Sequence, residues 1–353
     1  MTMLKKPCGT FDETYEQDSA LVRTGYRWTL LIFLLVFVFG IFPLLAGTYL
    51  LDVAVNLAIF IIAVLGLQII VGFTGQVSMG HAAFMAVGAY MSAGLSYHLD
   101  WPFWLTLPCA ALAAGVLGIV VAIPALKIRG FYISVTTLAA HFIIMWVILH
   151  GGGVTHGTSG LPANEITFFG LSFDNEIKFY YLAMGAVAAV VFLTNNLMRT
   201  RTGRSFIAVR DNDLAAEFMG INVFRTKVLA FFLSSMYAGM AGSLLAHYQG
   251  IITVEQFTLM DSIWMLGMLI IGGATITGAI MGVLFLKLLH QVVLFMAPWL
   301  GGIFPALEGS AVAGFVQIFF GVVILLFLVF EPRGLFHRWQ VTLSTFRLWP
   351  FPY

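Results

Sequence analysis

The side chains best suited to chemistry lie in and after a Gly-rich interruption of an apolar stretch, GFTGQVSMG at residues 72–80. Glycine and small hydroxyl residues permit irregular backbone, which a bilayer tolerates only inside protein or beside water. Hydroxyl, amide and imidazole groups can hydrogen-bond a polar solute. The candidate solute-path residues are Thr74, Gln76, Ser78, His81, Phe84 and Met85. The same pattern also fits a tight hairpin in which Ser78 caps a helix and His81 is structural.

A second Gly-rich interruption, GGATITG, occupies residues 272–278. Breaks of this kind mark substrate sites in some transporters. They also occur where two helices meet in a short turn at the membrane surface, and this hairpin is the favoured interpretation here.

One cation, Lys287, falls in the middle of an apolar block. A charge at membrane depth is costly and is a candidate functional residue. Lys287 can instead snorkel towards the interface or pair with Glu308 or a carboxylate of a partner subunit. This structural role is the favoured interpretation. Asp52 and Asp261 are further charged residues near predicted membrane ends.

A segment at 199–227 interrupts the apolar sequence with six basic residues and a helix-forming pattern. Asp211 or Asp213 is expected to cap a helix whose apolar stripe is Leu214, Phe218 and Ile221, and Gly220 is expected to end it. Three roles remain open for this coupling segment. It can lie on lipid headgroups, carry charge that sets topology, or insert its ridge into a groove on a cytoplasmic partner.

The composition defines the class of protein that must position these residues. The 353 residues are 60% hydrophobic and 9% charged, whereas soluble domains carry about 25% charged residues. Apolar blocks of about 20 residues match the thickness of a bilayer, so we predict an all-α, polytopic membrane protein. The net charge of +1 does not suggest a nucleic-acid partner. Cys8 and Cys109 are too few and too distant to suggest a disulfide or a metal site.

Ten transmembrane spans are predicted within residues 28–330, between an N-terminal tail at 1–27 and a C-terminal tail at 331–353. Most lysines and arginines then lie on one side, which places both termini and the coupling segment in the cytoplasm. The predicted spans are 28–46, 49–71, 79–97, 103–126, 134–150, 179–198, 228–248, 258–277, 279–298 and 309–330.

Several motifs in order resemble those of ABC-importer permeases for branched-chain amino acids, most of all the LivM branch. The coupling segment matches that family's cytoplasmic segment through GRS at 203–205, AVRDND at 208–213, AA at 215–216 and GIN at 220–222. The other matches are GFTGQVSMGHAAF at 72–84, KIRGFY at 127–132 with TTLA at 136–139, GTSGL at 157–161 and PRGL at 332–335.

The resemblance implies a transport subunit with a fold like that of BtuC, in the inner membrane of a bacterium. It also implies a homologous second permease similar to LivH, cytoplasmic ATPases and a periplasmic solute-binding protein. The chain contains no GxxxxGK[ST] string, so ATP and Mg²⁺ are expected on the partner ATPase. As a transport subunit, this chain is not expected to be an enzyme. Transport of urea or short amides is an alternative, because relatives of the family move such solutes.

The resemblance also implies roles for individual residues. Leu214, Phe218 and Ile221 are expected to fill a groove on the ATPase, with Arg204 and Arg210 at its rim. Ala216 and Gly220 are expected to permit close approach of that partner. Three other classes compete: an ion-coupled secondary transporter, an uncoupled channel and a membrane enzyme. A secondary transporter would require acidic residues within the membrane, and an enzyme would require a catalytic pair; both are scarce in this sequence.

Overall fold

The computed structural model describes residues 29, 32, 33, 35–126, 132–168, 171–173, 175–303, 310–331 and 334–348. Several positions discussed above lie outside these ranges. They are the tail 1–27, residues 28, 30, 31 and 34 of predicted span 28–46, residues 127–131 of the KIRGFY motif, Glu308, residues 332 and 333 of PRGL, and residues 349–353 of the C-terminal tail.

Almost all regular structure in the described ranges is helical, which confirms the all-α prediction. The helices are α1 Phe42–Leu45, α2 Thr48–Leu67, α3 His81–Leu99, α4 Phe103–Ala125, α5 Tyr132–Leu149, α6 Glu176–Arg199, α7 Arg201–Asp211, α8 Asp213–Phe218, α9 Val223–Gln249, α10 Leu259–Gly272, α11 Ile276–Ile303, α12 Ser310–Phe330 and α13 Leu335–Leu348. π-Helical turns at Phe37–Ile41 and Gln68–Phe73 precede α1 and extend α2.

Four two-residue strands, β1 Leu161–Pro162, β2 Thr167–Phe168, β3 Leu171–Ser172 and β4 Ile251–Ile252, lie on the side of the bundle where α5 ends and α6 begins. β1 pairs antiparallel with β4, and β2 with β3. The first pair ties the long loop after α5 to the end of α9. These strands are too short to alter the fold class.

Seven helices of the described chain are long and apolar enough to cross a membrane. They correspond to seven of the ten predicted spans, beginning with Thr48–Phe73. An eighth results if Gln317–Phe330 and Leu335–Leu343, bent by 46°, form one span. α3 has 19 residues but is rich in small and polar ones, so its apolarity is too low to identify it as a membrane span. The full count of ten stays a prediction.

The core is built around α2 and α9. α2 is apolar on nearly every face, as expected for a helix surrounded by protein, and 83% of its most apolar window is buried. α9 packs against α4, α3 and α2. Small residues allow these close approaches: a Cβ placed on Gly88 of α3 would lie 2.3 Å from the Cα of Gly239 in α9. Such small-residue interfaces are typical of membrane helices.

Gly242 supports a quantitative prediction about this interface. A Cβ at Gly242 would lie 1.9 Å from the carbonyl oxygen of Met85 and 2.9 Å from the backbone nitrogen of Ala89. Gly242→Ala must therefore separate α9 from α3, and we expect it to lower the free energy of unfolding by about 1–3 kcal/mol. Denaturant titration of the purified protein in detergent measures this change.

The matched control is Gly185→Ala in α6, where the residue is exposed and no described atom lies within 4 Å of the added Cβ. Alanine favours a helix over glycine by up to about 1 kcal/mol, so this variant should be as stable as the parent or more so. Equal stabilities for Gly242→Ala and the parent would contradict the close packing of α3 on α9.

Candidate functional site

The first Gly-rich break ends the π-helical extension of α2 and turns the chain towards α3. The hydroxyl of Thr74 donates to the carbonyl of Ile70 at 2.6 Å, and the backbone N–H of Gln76 donates to the same carbonyl at 3.0 Å. Gly75 has φ +70°, a conformation that glycine adopts without strain. The break is therefore an ordered helix end, in agreement with the predicted irregular backbone.

The predicted solute-path residues are all buried, but their environments differ. The imidazole of His81 contacts the carbonyl of Ala63 at 2.8 Å through Nε2, which makes it part of the α2–α3 packing. Phe84 and Met85 lie in the hydrophobic core. Ser78 does not cap α3, which begins without a side-chain cap. Thr74, His81, Phe84 and Met85 thus hold the break in place.

Gln76 and Ser78 differ from these residues in their hydrogen bonding. Gln76 is only 4% exposed and Ser78 only 1%. Neither amide atom of Gln76, nor Oγ of Ser78, has a hydrogen-bond partner among the described residues. Buried polar atoms are normally paired, so these atoms are available to a solute or to water. Among the polar side chains of the predicted solute path, these two have hydrogen-bonding groups that no described residue of the fold satisfies.

Gln68 was missed by the sequence interpretation. It lies on the π-helical turn, is fully buried, and has both amide atoms without a partner in the described structure. Its amide lies directly under Gly72, where a Cβ would come within 2.2 Å of Nε2. π-Helical turns inside α-helices often occur at functional sites. The sequence feature that could have identified Gln68 is its position as a single polar residue within an apolar run.

A cavity of about 600 Å³ adjoins Gln76. It lies between the first break, the start of α5 and the coupling segment. Its polar lining includes Thr74, Gln76, Ser134, Arg210, Asp211, Asn212, Asp213 and Lys227. The charged residues come from the coupling segment, so that segment forms one wall of the space beside the break.

The coupling segment contains two helices, α7 and α8, where one was expected. The predicted caps Asp211 and Asp213 are wrong: Asn212 separates the helices, and its side-chain oxygen accepts from the N–H of Ala215 at 3.0 Å. Asn212 has the extended backbone, φ −161° and ψ 110°, that an N-cap requires. Asp213 is then the first residue of α8, where its charge suits the helix dipole.

Gly220 ends α8 as predicted. Its φ is +83°, its N–H donates to the carbonyl of Glu217 at 2.9 Å, and the N–H of Ile221 donates to the carbonyl of Ala216 at 3.0 Å. This pair of bonds is a Schellman motif, for which glycine is the preferred residue. The positive φ that this motif requires explains why glycine occupies position 220.

α8 presents an apolar ridge to the outside of the chain. Leu214 is 63% exposed, Phe218 91% and Met219 83%, whereas Ile221 is half-buried. Met219 was not part of the predicted stripe. Ala216 is 3% exposed and faces this chain's own interior, so the expected approach of a partner at Ala216 is blocked by the chain itself.

Arg210 contacts the first break while its side chain stays 36% exposed, so its predicted place at the rim of a partner's groove stays a prediction. Its Nη1 donates to the carbonyl oxygen of Gly72 at 3.0 Å, and its Nη2 lies 3.1 Å from a carboxylate oxygen of Asp211. A Cβ on Gly75 would meet the Arg210 side chain at 3.1 Å. The guanidinium therefore joins the coupling segment to the first break, 138 residues away in sequence.

Other polar bonds fix the segment to neighbouring helices. Nζ of Lys227 in α9 lies 2.5 Å from a carboxylate oxygen of Asp213 in α8. Arg204 donates through Nη1 to the carbonyl of Arg199 at 3.0 Å. Asn222 caps α9 through the N–H of Arg225. These bonds connect α8 to α9, and the bond from Arg210 connects α7 to the first break.

The second Gly-rich break is a tight hairpin between α10 and α11, as the favoured interpretation predicted. A Cβ on Gly272 would lie 2.0 Å from the carbonyl oxygen of Gly278, and Gly273 has φ +99°. Gly334, just before α13, packs on it: a Cβ there would lie 2.6 Å from the Cα of Gly273. The end of the PRGL motif therefore contacts the second break.

Comparison with known proteins defines the family. The model of the branched-chain amino acid transport system permease component matches residues 49–328. LivM of Escherichia coli K12, a high-affinity branched-chain amino acid transport system permease protein, is 31% identical over 290 residues, 74% of this chain and 68% of that protein. LivM of Salmonella typhimurium LT2 is 30% identical over 308 residues, 80% of this chain and 69% of that protein.

The chain therefore belongs to the permease components of branched-chain amino acid transport systems, and it is a multi-pass membrane transport subunit. This confirms the resemblance drawn from its motifs. The autoinducer 2 import system permease protein LsrC of Enterobacter sp. 638 is also similar, at 28% identity over 249 residues, 68% of this chain and 66% of that protein. No solved structure matches the chain.

Proposed function

We propose that this chain is a permease subunit of an ATP-driven importer that moves leucine, isoleucine and valine into the cytoplasm. The observation that carries the proposal is the bond from Arg210 to Gly72, which links the exposed coupling segment to the break beside Gln76. A partner that holds the coupling segment differently in two nucleotide states would act through Arg210 on the backbone of the break. Differential binding of this kind is what an ATPase needs to bias a transport cycle.

The partners follow from the family and from the ridge on α8. ATP and Mg²⁺ bind on cytoplasmic ATPases that dock on Leu214, Phe218 and Met219, with Arg204 beside them. A LivH-like permease completes the pore, and a periplasmic binding protein delivers the solute. The chain lies in the inner membrane with both termini and the coupling segment in the cytoplasm, as its basic residues favour.

The solute passes the first break. A zwitterionic amino acid needs donors and acceptors, and the unpaired amide of Gln76 and hydroxyl of Ser78 supply both. The hydrogen bonds of Thr74 and His81 keep the surrounding backbone fixed. A preformed polar surface of this kind lowers the cost of removing the solute from water.

The test is uptake by the purified complex in vesicles. The chain is purified with whatever subunits co-elute, reconstituted with the binding protein outside and ATP inside, and supplied with radiolabelled leucine. We expect ATP-dependent accumulation that valine and isoleucine inhibit by competition. Competition by urea, a short amide or autoinducer 2 alone would instead assign one of those solutes. Uptake that persists without ATP and stops when the proton gradient collapses would contradict the proposal.

A further inference from the structure

The facing sides of α2 and α11 carry a strip of polar residues at membrane depth, away from the first break, which we call the polar groove. Between Leu51 and Leu67, all of which the structure describes, the residues that are not buried are Asp52, Val53, Asn56 and Phe60. Their spacing places them within an arc of about 100° on one side of the helix. Beyond the exposed first turn at 48–50, this strip is the open side of α2.

α11 lines the opposite side of the groove with polar residues one turn apart. The ammonium Nζ of Lys287 lies 3.3 Å from the centroid of the Phe60 ring. The amide of Gln291 donates to the hydroxyl of Tyr49. The row beside them, Leu284, Leu288 and Val292, is apolar and 36–53% exposed, as expected for a surface that faces lipid. Lys287 thus points into the groove.

The depth of Lys287 excludes a simple interfacial lysine. It is eleven residues from the start of α11 at Ile276, a rise of about 16 Å, which is near the middle of a hydrocarbon core of about 30 Å. None of the ion pairs among the described residues includes Lys287, and Glu308 is outside those residues. An ammonium has three donors, and a ring face satisfies only part of that capacity.

The groove has a negative end as well. Oδ1 of Asp52 accepts from the hydroxyl of Tyr248 at 2.6 Å and from Nδ2 of Asn56 at 3.0 Å. These bonds orient the amide of Asn56 with its nitrogen towards Asp52. Asn56 precedes Phe60 by one helical turn, a rise of about 6 Å. A carboxylate and an ammonium are therefore displayed along one strip, with an amide between them.

We propose that this groove binds the charged head of an α-amino acid, with Lys287 receiving the carboxylate and Asn56 and Asp52 receiving the ammonium. This inference rests on the proposed importer function and names a recognition step for it within the membrane. The amino and carboxyl groups of the solute, each with a hydrogen bond of about 2.8 Å, span the turn between Asn56 and the ammonium over Phe60. Urea or another neutral solute would have no use for the two opposite charges.

The experiment compares leucine uptake by reconstituted complexes that carry Lys287→Met, Lys287→Arg or Asp52→Asn. Lys287→Met and Asp52→Asn should each lower the rate of uptake at low leucine by about tenfold, the loss expected when a hydrogen bond to a charged group is removed. Lys287→Arg should restore part of that loss. Leu288→Met, on the lipid-facing row, should transport like the parent. Stimulation of ATP hydrolysis by the binding protein should persist in all four variants.

Three results would overturn the proposal. One is leucine uptake by Lys287→Met equal to that of the parent complex. Another is loss of the partner subunits from purified Lys287→Met, which would make the lysine part of assembly. The third is recovery of uptake when Glu308→Gln is added to Lys287→Met, which would identify a structural ion pair. A parent complex that imports no amino acid would overturn the proposed function itself, whereas the three results above leave that function intact.

Discussion

A Phe218→Asp variant is expected to lose its cytoplasmic ATPase and, with it, import. Phe218 is 91% exposed at the tip of α8, next to Met219 at 83%. Burial of a phenylalanine side chain contributes about 1.5–3 kcal/mol, and an unpaired carboxylate in the same apolar groove costs more. A loss of this size weakens binding by at least about tenfold to a hundredfold. Co-purification and ATP-dependent leucine uptake measure it.

The control is Val154→Asp, which places the same charge at a residue that is 69% exposed in the loop after α5. That residue lies on the opposite side of the bundle from α8, so the ATPase should co-purify with this variant as with the parent. Full retention of the ATPase by Phe218→Asp would show that the ridge on α8 is not the docking surface. Crosslinks from position 218 to lipid alone would support an interfacial helix instead.

An Arg210→Met variant is expected to keep its ATPase but to import poorly. The substitution preserves most of the apolar stem and removes the bond to the carbonyl of Gly72, which spans 3.0 Å in the parent. Hydrogen bonds to charged groups contribute about 1.5–3 kcal/mol. If that energy couples the segment to the break, uptake should fall by about tenfold to a hundredfold, while ATP hydrolysis continues. The ratio of solute imported to ATP hydrolysed is the measured quantity.

Arg338→Met is the matched control, since Arg338 makes an exposed ion pair with Glu331 at 3.2 Å, away from the coupling segment. Exposed pairs of this kind contribute about 0–1 kcal/mol, and the import ratio should be unchanged. An unchanged ratio in Arg210→Met would mean that the contact with Gly72 is structural only. Loss of the ATPase from that variant would place Arg210 in the docking surface, as the sequence motif first suggested.

Local patterns predicted local structure well in this chain. The apolar blocks located the seven helices that meet the length and apolarity criteria, and the position of Gly220 predicted the end of α8. Such features depend on residues close in sequence. The cap was assigned to an aspartate when Asn212 holds it, because Asn and Asp have nearly the same preference for N-caps and three of them are consecutive.

Long-range contacts were the part that sequence patterns could not supply. Arg210 is a charged residue next to the apolar stripe, which is why the sequence placed it at the rim of a partner's groove. Only the packing of the coupling segment on the break shows that Arg210 bonds Gly72. Ala216 was grouped with Gly220 as a small residue, although one is buried and the other is exposed. Of the six solute-path candidates, the hydrogen bonds of the fold distinguish Gln76 and Ser78 from the rest. The roles of all these residues stay predictions.

The glycine contacts between α3 and α9 restrict how this subunit can move. Backbone meets backbone at Gly88 with Gly239 and at Gly242 with Met85, so neither helix can slide along the other without a clash. We therefore expect the two helices to move as one rigid body during the proposed transport cycle. The displacement that admits and releases a solute is then expected at other contacts between helices, and spin labels on α3 and α9 should keep a constant separation during turnover.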